Sequence, residues 1–253
     1  MPVPVTQKAE TPLVEIFSSL QGEGTLVGYR QIFIRFAGCH LDCNYCDTDF
    51  TPSGNCLVET VPGSGSFKQV ANPLNLESVI DIISPWVKAA PSAYHSISLT
   101  GGEPLLHDVL LAEWLPALRQ LMPIYLETSG TQPERLAPLL PYIDWVSMDI
   151  KLESLTGKPT DWDAHQRFLK LAAQTNCYVK MVVAEVTSAE EIQRGAEMVA
   201  EVPQQIPLIL QPVTMDEQVA VSTKCLLQFQ ELAATIHSDV RVIPQTHRFL
   251  GVL

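Results

Sequence analysis

No stretch of about 18 uninterrupted apolar residues, the length a membrane-spanning helix needs, occurs in this sequence, although 46% of its 253 residues are apolar. A spanning helix is therefore not expected, and the apolar content is available for a core. The opening residues, Met1-Pro2-Val3-Pro4-Val5-Thr6-Gln7-Lys8, lack the basic start and apolar stretch of a secretory signal. A cytoplasmic protein is expected. Basic residues are scarce, with 16 Lys and Arg against 28 Asp and Glu, a formal charge of −12. Without a dense Lys/Arg run to override that sign, the surface repels phosphate backbones, and no nucleic-acid partner is expected. A disulfide framework is disfavoured as well, because cytosolic thiols stay reduced. Of six cysteines, Cys56, Cys177 and Cys225 are scattered and read as small hydrophobes. The other three, Cys39, Cys43 and Cys46, crowd together, and clustered thiols read first as metal or redox chemistry.

No internal repeat and no long linker divides the chain, so residues 1–253 read as one domain. Short β-branched runs at Gln31–Phe36, Ser96–Leu99, Ile124–Glu127, Trp145–Ile150, Tyr178–Val183 and Leu208–Gln211 read as buried strands, with Val240–Ile243 a possible further one. Helical patterns lie between them: Leu76–Ala89 with Asn75 as N-cap, Leu105–Leu121 with a possible kink at Pro116, Pro133–Leu140, Asp161–Gln174, Ala189–Glu201 and Asp216–His237. Strand–helix alternation with such connections calls for a parallel sheet with right-handed crossovers. Six units are too few to close the eight-stranded barrel, so the expected fold is α/β, a partial, open β/α barrel of about six parallel strands with outer helices. Thr51–Val70, rich in Gly and Pro, reads as a loop insertion.

Ligands of parallel α/β folds sit at the carboxyl ends of the strands. The cysteines follow the first expected strand, Gly101-Gly102-Glu103-Pro104 the second and Thr128-Ser129-Gly130 the third, so these stretches should gather on one face. Seven of the thirteen glycines fall in them or in the segment before the first strand, and glycine lets backbone approach a ligand closely.

Cys39-His40-Leu41-Asp42-Cys43-Asn44-Tyr45-Cys46 has the spacing C-x₃-C-x₂-C. Thiolates are the usual ligands of a four-iron cubane, and three on one loop leave the fourth iron without a ligand from this motif. A Cys₃His zinc site with His40, His95 or His107 is the alternative, but zinc sites favour paired short spacings and no second C-x₂-C or H-x₃-H is present. The motif, with an aromatic before its last cysteine, resembles that of the radical S-adenosylmethionine (SAM) superfamily, and Leu99-Thr100-Gly101-Gly102-Glu103-Pro104 resembles the superfamily's GGEP motif. The resemblance implies a [4Fe–4S] cluster on Cys39, Cys43 and Cys46. It also implies SAM as a cofactor, whose reductive cleavage supplies a radical that abstracts hydrogen from substrate.

A narrower resemblance follows. Glu15-Ile16-Phe17-Ser18-Ser19-Leu20-Gln21-Gly22-Glu23-Gly24 alone reads as a polar surface loop or a substrate loop. Taken with Phe33-Ile34-Arg35-Phe36-Ala37-Gly38-Cys39 and Cys46-Asp47-Thr48, it resembles the 7-carboxy-7-deazaguanine synthase family. The likeness extends through Glu127-Thr128-Ser129-Gly130, Leu210-Gln211-Pro212 and Pro244-Gln245-Thr246-His247-Arg248. It implies a carbon–nitrogen lyase that contracts 6-carboxy-5,6,7,8-tetrahydropterin with loss of ammonia, in queuosine-type deazapurine biosynthesis. By the same resemblance Leu20, Gln21, Gly22, Glu23, Arg35 and Thr100 bind the pterin. Tyr45, Cys46, Asp47, Gly102, Glu127, Ser129, Asp149, Lys151 and Gln211 line the SAM pocket, and Thr48 holds Mg²⁺. A reductant such as flavodoxin or ferredoxin and a homodimer are implied too. Arg35 suits a carboxylate as a planar fork, though an ion-pair role is the alternative. His107 is expected to cap its helix and His247 to be structural. One departure is Asp149-Ile150-Lys151, where many members read Ser-Pro-Lys; this version also resembles glycyl-radical activases. An activase, or a non-catalytic metal or electron-transfer module, therefore stays open as an alternative.

Overall fold

The computed structural model describes residues 9–252 except 44, 45, 47, 48 and 216. Ten strands form its main sheet: β1 (Leu13–Leu20), β2 (Arg30–Phe36), β3 (Asn55–Glu59), β4 (Phe67–Ala71), β5 (Ser96–Gly101), β6 (Ile124–Thr128), β7 (Trp145–Ile150), β8 (Asn176–Val183), β9 (Leu208–Pro212) and β10 (Val240–Val242). Their order is β10-β9-β8-β7-β6-β5-β2-β1-β3-β4. Every neighbouring pair from β10 to β2 is parallel, whereas β1 runs antiparallel to β2. Seven parallel strands thus stand where about six were expected, the extra one being the short edge strand β10. The edge strands β10 and β4 do not pair with each other among the described residues. The fold is the open α/β arrangement expected.

The helices are α1 (Leu76–Ala89), α2 (Asp108–Leu121), α3 (Pro133–Leu136), α4 (Glu153–Thr156), α5 (Trp162–Ala172), α6 (Ala189–Ala200), α7 (Thr223–Ala234) and α8 (Thr246–Leu250). Asn75 caps α1 by accepting from the Ser78 backbone N–H, and Asp161 and Ser188 cap α5 and α6 the same way. α2 continues through Pro116 as one element. The last long helix, expected from Asp216, begins only at Thr223; Thr214–Met215 and Gln218–Val219 pair instead as a small antiparallel turn.

Both faces of the parallel strands are covered, but with opposite chemistry. Ile32, Ile34, Ile97, Leu99, Leu126, Val146, Met148, Val179, Met181 and Leu210 point to one side and pack in the main core. Residues of the other parity are largely polar: Gln31, Ser96, Ser98, Thr100, Glu127, Ser147, Asp149, Lys180 and Gln211. Because side chains alternate along a strand, one apolar face meets the helices while the concave face carries functional groups. Tyr125, Tyr178, Leu26 and Ile209 plug the base of that concave side.

Two segments read as loops are strands. Leu13–Leu20 has five of its eight residues buried and none exposed, and its polar inner residues hide the pattern. Phe17 stacks on Phe33 of β2 with ring centroids 4.9 Å apart. The Thr51–Val70 region contains the β3–β4 hairpin, with β3 added in parallel to β1. Glu59, 1% exposed, accepts from the backbone N–H of Ser18 and of Gly65, each at 2.9 Å. It fastens the hairpin to β1 through donors that a shorter side chain cannot reach. Glu59→Ala should therefore lower unfolding stability by about 2–3 kcal/mol, read as a shifted denaturant midpoint.

Candidate active site

A cavity of about 490 Å³ opens along the concave face. Its upper rim is the loop after β2, carrying Cys39, Cys43 and Cys46, together with Gly101-Gly102 at the end of β5 and Ser129 after β6. Its deeper wall comes from an unexpected direction. Because β1 is antiparallel, Leu20-Gln21-Gly22-Glu23 enter beside the amino end of β2, where Leu20 pairs with Arg30. The cavity therefore runs along the strands, with thiols toward the carboxyl ends and the Gln21–Glu23 turn at the other end.

The rim depends on close backbone packing. Gly101 has φ +126°, and a methyl group on Gly102 would lie 1.9 Å from the Gly38 carbonyl oxygen. The start of the cysteine loop thus rests directly on the glycine turn, with Glu103 N–H donating to Gly38 O at 2.9 Å. Glu103 itself does not line the cavity. Its fully buried carboxylate accepts from Thr128 Oγ1 and Ser129 N, both at 2.8 Å, and from Leu105 N at 3.1 Å. It clamps the turn after β5 to the end of β6. His107 stands at the N-cap position of α2 as expected, but its ring makes no capping bond and instead bridges Thr11 Oγ1 and Ala37 O, each at 3.0 Å. His165 performs a similar bridge deeper in, donating from Nδ1 to Gly130 O at 3.0 Å and accepting at Nε2 from Lys151 N–H at 3.2 Å.

The wall is a connected polar network. Gln21 Nε2 donates to Gln31 Oε1 at 2.9 Å and to Glu127 Oε1 at 2.8 Å, while its Oε1 accepts from Glu23 N–H at 2.9 Å. Both amide hydrogens of Gln21 are thereby committed within the protein. Thr100 Oγ1 donates to Glu127 Oε2 at 2.7 Å. Glu23 is held at both oxygens, by Lys180 Nζ on Oε2 and by Gln245 Nε2 at 2.9 Å on Oε1. Lys180 also pairs with Asp149 at 3.2 Å, whose other oxygen receives Lys151 Nζ at 2.7 Å. Arg35 satisfies part of each expectation: its Nε pairs with Glu15 at 2.6 Å, and its side chain lines the cavity beside Phe17.

These charges set proton affinities. Burial alone would raise the Glu23 carboxyl, but Lys180 and Gln245 outweigh it and hold Glu23 below the usual range. Burial and the nearby Glu23 charge raise Glu127, only partly offset by Lys180, Thr100 and Gln21. Lys180 would be lowered by burial, yet Asp149, Glu23 and Glu127 keep it firmly protonated. Two glutamates in one cavity thus have opposite tendencies, and a proton goes to Glu127 before Glu23.

All fifteen described residues singled out from the sequence line this cavity: Cys39, Cys43, Cys46, Leu20, Gln21, Gly22, Glu23, Arg35, Thr100, Gly102, Glu127, Ser129, Asp149, Lys151 and Gln211. Tyr45, Asp47 and Thr48 lie outside the described residues. Sequence reading missed Lys180, Gln245 and Arg248 as wall residues. Lys180 had a visible signal, a lysine inside the apolar run Tyr178–Val183. His247 belongs here as well, since its ring occupies the space a methyl on Gly22 would need, 2.2 Å from Nδ1.

The radical SAM superfamily model matches residues 33–201. A 7-carboxy-7-deazaguanine synthase from Geobacter sulfurreducens is 45% identical over 248 residues, covering 97% of this chain and 99% of the relative. The chain belongs to the 7-carboxy-7-deazaguanine synthase family of radical SAM enzymes. A further family member, from Methanothermobacter thermautotrophicus, is 36% identical over 95% of this chain and 97% of its own length. The crystal structure of QueE from Escherichia coli shares the fold, with TM-score 0.59 at 24% identity over 94% of this chain and 95% of that one.

Membership in the radical SAM superfamily brings a [4Fe–4S] cluster and SAM as cofactors, and the cavity's own features fit them. Three thiols share one rim. The bare Gly102 leaves backbone accessible, and Gln211, 2% exposed, has a side-chain oxygen with no hydrogen-bond partner.

Burial pushes the thiols of Cys56 and Cys177 up to about 12, while Cys46 is exposed. Iodoacetamide should modify Cys46 first in the cluster-free protein and spare Cys56 and Cys177 until denaturation, as peptide mass mapping would record. His165 is held at about 4, chiefly by burial, against an unperturbed 6.5. Between those values the unfolded chain carries the extra proton, so stability falls as pH drops from about 6.5 to 4, by about 3 kcal/mol. His165→Asn should flatten that part of the stability–pH curve in urea titrations.

Proposed function

We propose that this chain contracts 6-carboxy-5,6,7,8-tetrahydropterin to 7-carboxy-7-deazaguanine with loss of ammonia. The observation that carries the reading is one cavity containing both a three-thiol rim and a polar wall centred on Glu23, Glu127 and Lys180. When bound, the cluster and SAM supply the radical that starts the reaction. Cys39, Cys43 and Cys46 would hold the cluster. Gly102, Ser129, Asp149, Lys151 and Gln211 would hold SAM together with Tyr45 and Asp47, the turn glycine giving the cofactor access to backbone. Lys151, paired with Asp149 near Cys39 and Cys43, would offer positive charge to the cofactor's carboxylate.

The pterin takes the remaining wall, formed by Leu20, Gln21, Gly22, Glu23, Arg35 and Thr100. Glu23 accepts from the N–H edge of the aminopyrimidinone, and Arg35 receives the substrate carboxylate. Gln21 acts mainly as a scaffold, since its amide hydrogens already hold Gln31 and Glu127. Glu127, assigned to the cofactor side by the sequence resemblance, is tied by hydrogen bonds to Gln21 and Thr100 on the pterin side. It stands between the two ligands and is the better proton carrier of the two glutamates. Thr48 would hold Mg²⁺, an ion that accepts a hydroxyl alongside substrate oxygens and waters. A flavodoxin or ferredoxin as electron donor, a homodimer and a cytoplasmic setting complete the proposal.

Anaerobic incubation with the carboxytetrahydropterin, SAM, Mg²⁺ and a reductant tests it. Mass spectrometry should find 7-carboxy-7-deazaguanine, and Cys43→Ala should abolish both product and 5′-deoxyadenosine. Thr48→Ala should keep SAM cleavage and weaken magnesium-dependent turnover. Robust SAM cleavage without any deazapurine would leave the superfamily chemistry standing and remove the pterin reading.

A further inference from the structure

Lys180 is 8% exposed in a cavity wall where an apolar side chain would cost less to bury. It comes from the middle of β8, yet its ammonium bridges two separate parts of the site. One contact is Glu23 Oε2 in the turn after β1; the other is Asp149 Oδ1 at the end of β7, 3.2 Å away. Gln245 secures the second Glu23 oxygen at 2.9 Å. Glu23 is therefore fixed in angle as well as position, and each oxygen keeps a lone pair for a ligand.

We propose that Lys180 is a positioning residue for substrate: it anchors Glu23 as a fixed, anionic acceptor for the paired N–H donors of a fused aminopyrimidinone, and ties that acceptor to Asp149 beside the cofactor. The inference rests on the pterin reading of the cavity. A carboxylate offers two parallel acceptors to adjacent ring and amino N–H groups, whereas a protonated carboxyl would replace one acceptor with a donor and lose the match. Without Lys180, burial and Glu127 both favour protonation of Glu23. The other charged or titratable groups facing the pair are Asp149 with its partner Lys151, Tyr178 on Lys180's own strand, and His247 from the C-terminal segment.

Equilibrium dialysis of 6-carboxypterin against the reconstituted full-length protein tests this without turnover. Lys180→Met should weaken binding at least about tenfold at neutral pH, with affinity recovering as pH rises and Glu23 ionises again. Lys180→Arg, which keeps the charge, should stay within about threefold of wild type. In a Glu23→Gln background Lys180→Met should add no further loss, because the acceptor it serves is gone. Wild-type affinity and pH profile in Lys180→Met would overturn the proposal. So would an equal loss at every pH in both backgrounds, the mark of a merely structural role. If wild type cleaves SAM but binds no 6-carboxypterin, the pterin reading itself falls and takes this inference with it; that result is distinguishable because it needs no variant.

Discussion

A lysine ammonium withdrawn from bulk water is tolerable only while acidic partners remain beside it, and the concave face of this sheet is organised to meet that condition. Lys180 draws Glu23 from one direction and Asp149 from another. Glu23 in turn engages Gln245, and its backbone N–H engages Gln21, which reaches Gln31 and Glu127. Glu127 closes on Thr100. Each group supplies what its neighbour lacks, so the wall is assembled as a unit contributed by five strands, the turn after β1 and the segment after β10. Removing one member exposes the next to an unmatched burial.

A second set of constraints governs the rim. The glycine turn and the cysteine loop touch through backbone, which excludes any side chain at Gly102. Glu103, the acidic residue of the GGEP sequence, spends its hydrogen-bonding capacity on Leu105, Thr128 and Ser129. Its contribution to ligand binding is indirect: it aligns the segments after β5 and β6 so that Gly102 and Ser129 face the same space. His165 does the equivalent for Gly130 and Lys151 one strand further along. These clamps lie behind the cavity rather than in it, which is why rigid backbone edges can surround a site rich in polar side chains.

The legible and illegible parts of the sequence follow from this division. The parallel strands announced themselves through the apolar parity that packs on the helices, and α1 through its Asn75 cap. The cysteine trio and the glycine turn were visible because their spacing has a chemical meaning independent of fold. Leu13–Leu20 carries no strand pattern in its sequence, because its concave parity includes Glu15, Ser19 and the ring of Phe17, so no simple alternation of apolar and polar survives. The β3–β4 hairpin is obscured by Gly and Pro at its turn, and its attachment to β1 depends on Glu59 meeting the backbone N–H of Ser18, far away in sequence. Lys180, Gln245 and Arg248 acquire meaning only when distant elements are brought together. A charge within an apolar run was the one local signal, and it pointed to Lys180 alone.

The same geometry explains why the end of the chain belongs to the site. Thr246 donates its backbone N–H to Gly22 O at 2.8 Å and its hydroxyl to the same oxygen at 3.1 Å, while the His247 ring fills the space beside Gly22. Gln245 holds Glu23. Three consecutive residues after β10 thus lock the turn that forms the far wall, more than 220 positions earlier in the sequence. Contacts of such sequence separation are entropically expensive to form and come late in assembly unless local structure brings them together. The scaffold of parallel strands can therefore be largely in place while Glu23 still lacks its second anchor. It follows that the acceptor for substrate is fixed by the closing contacts of the fold.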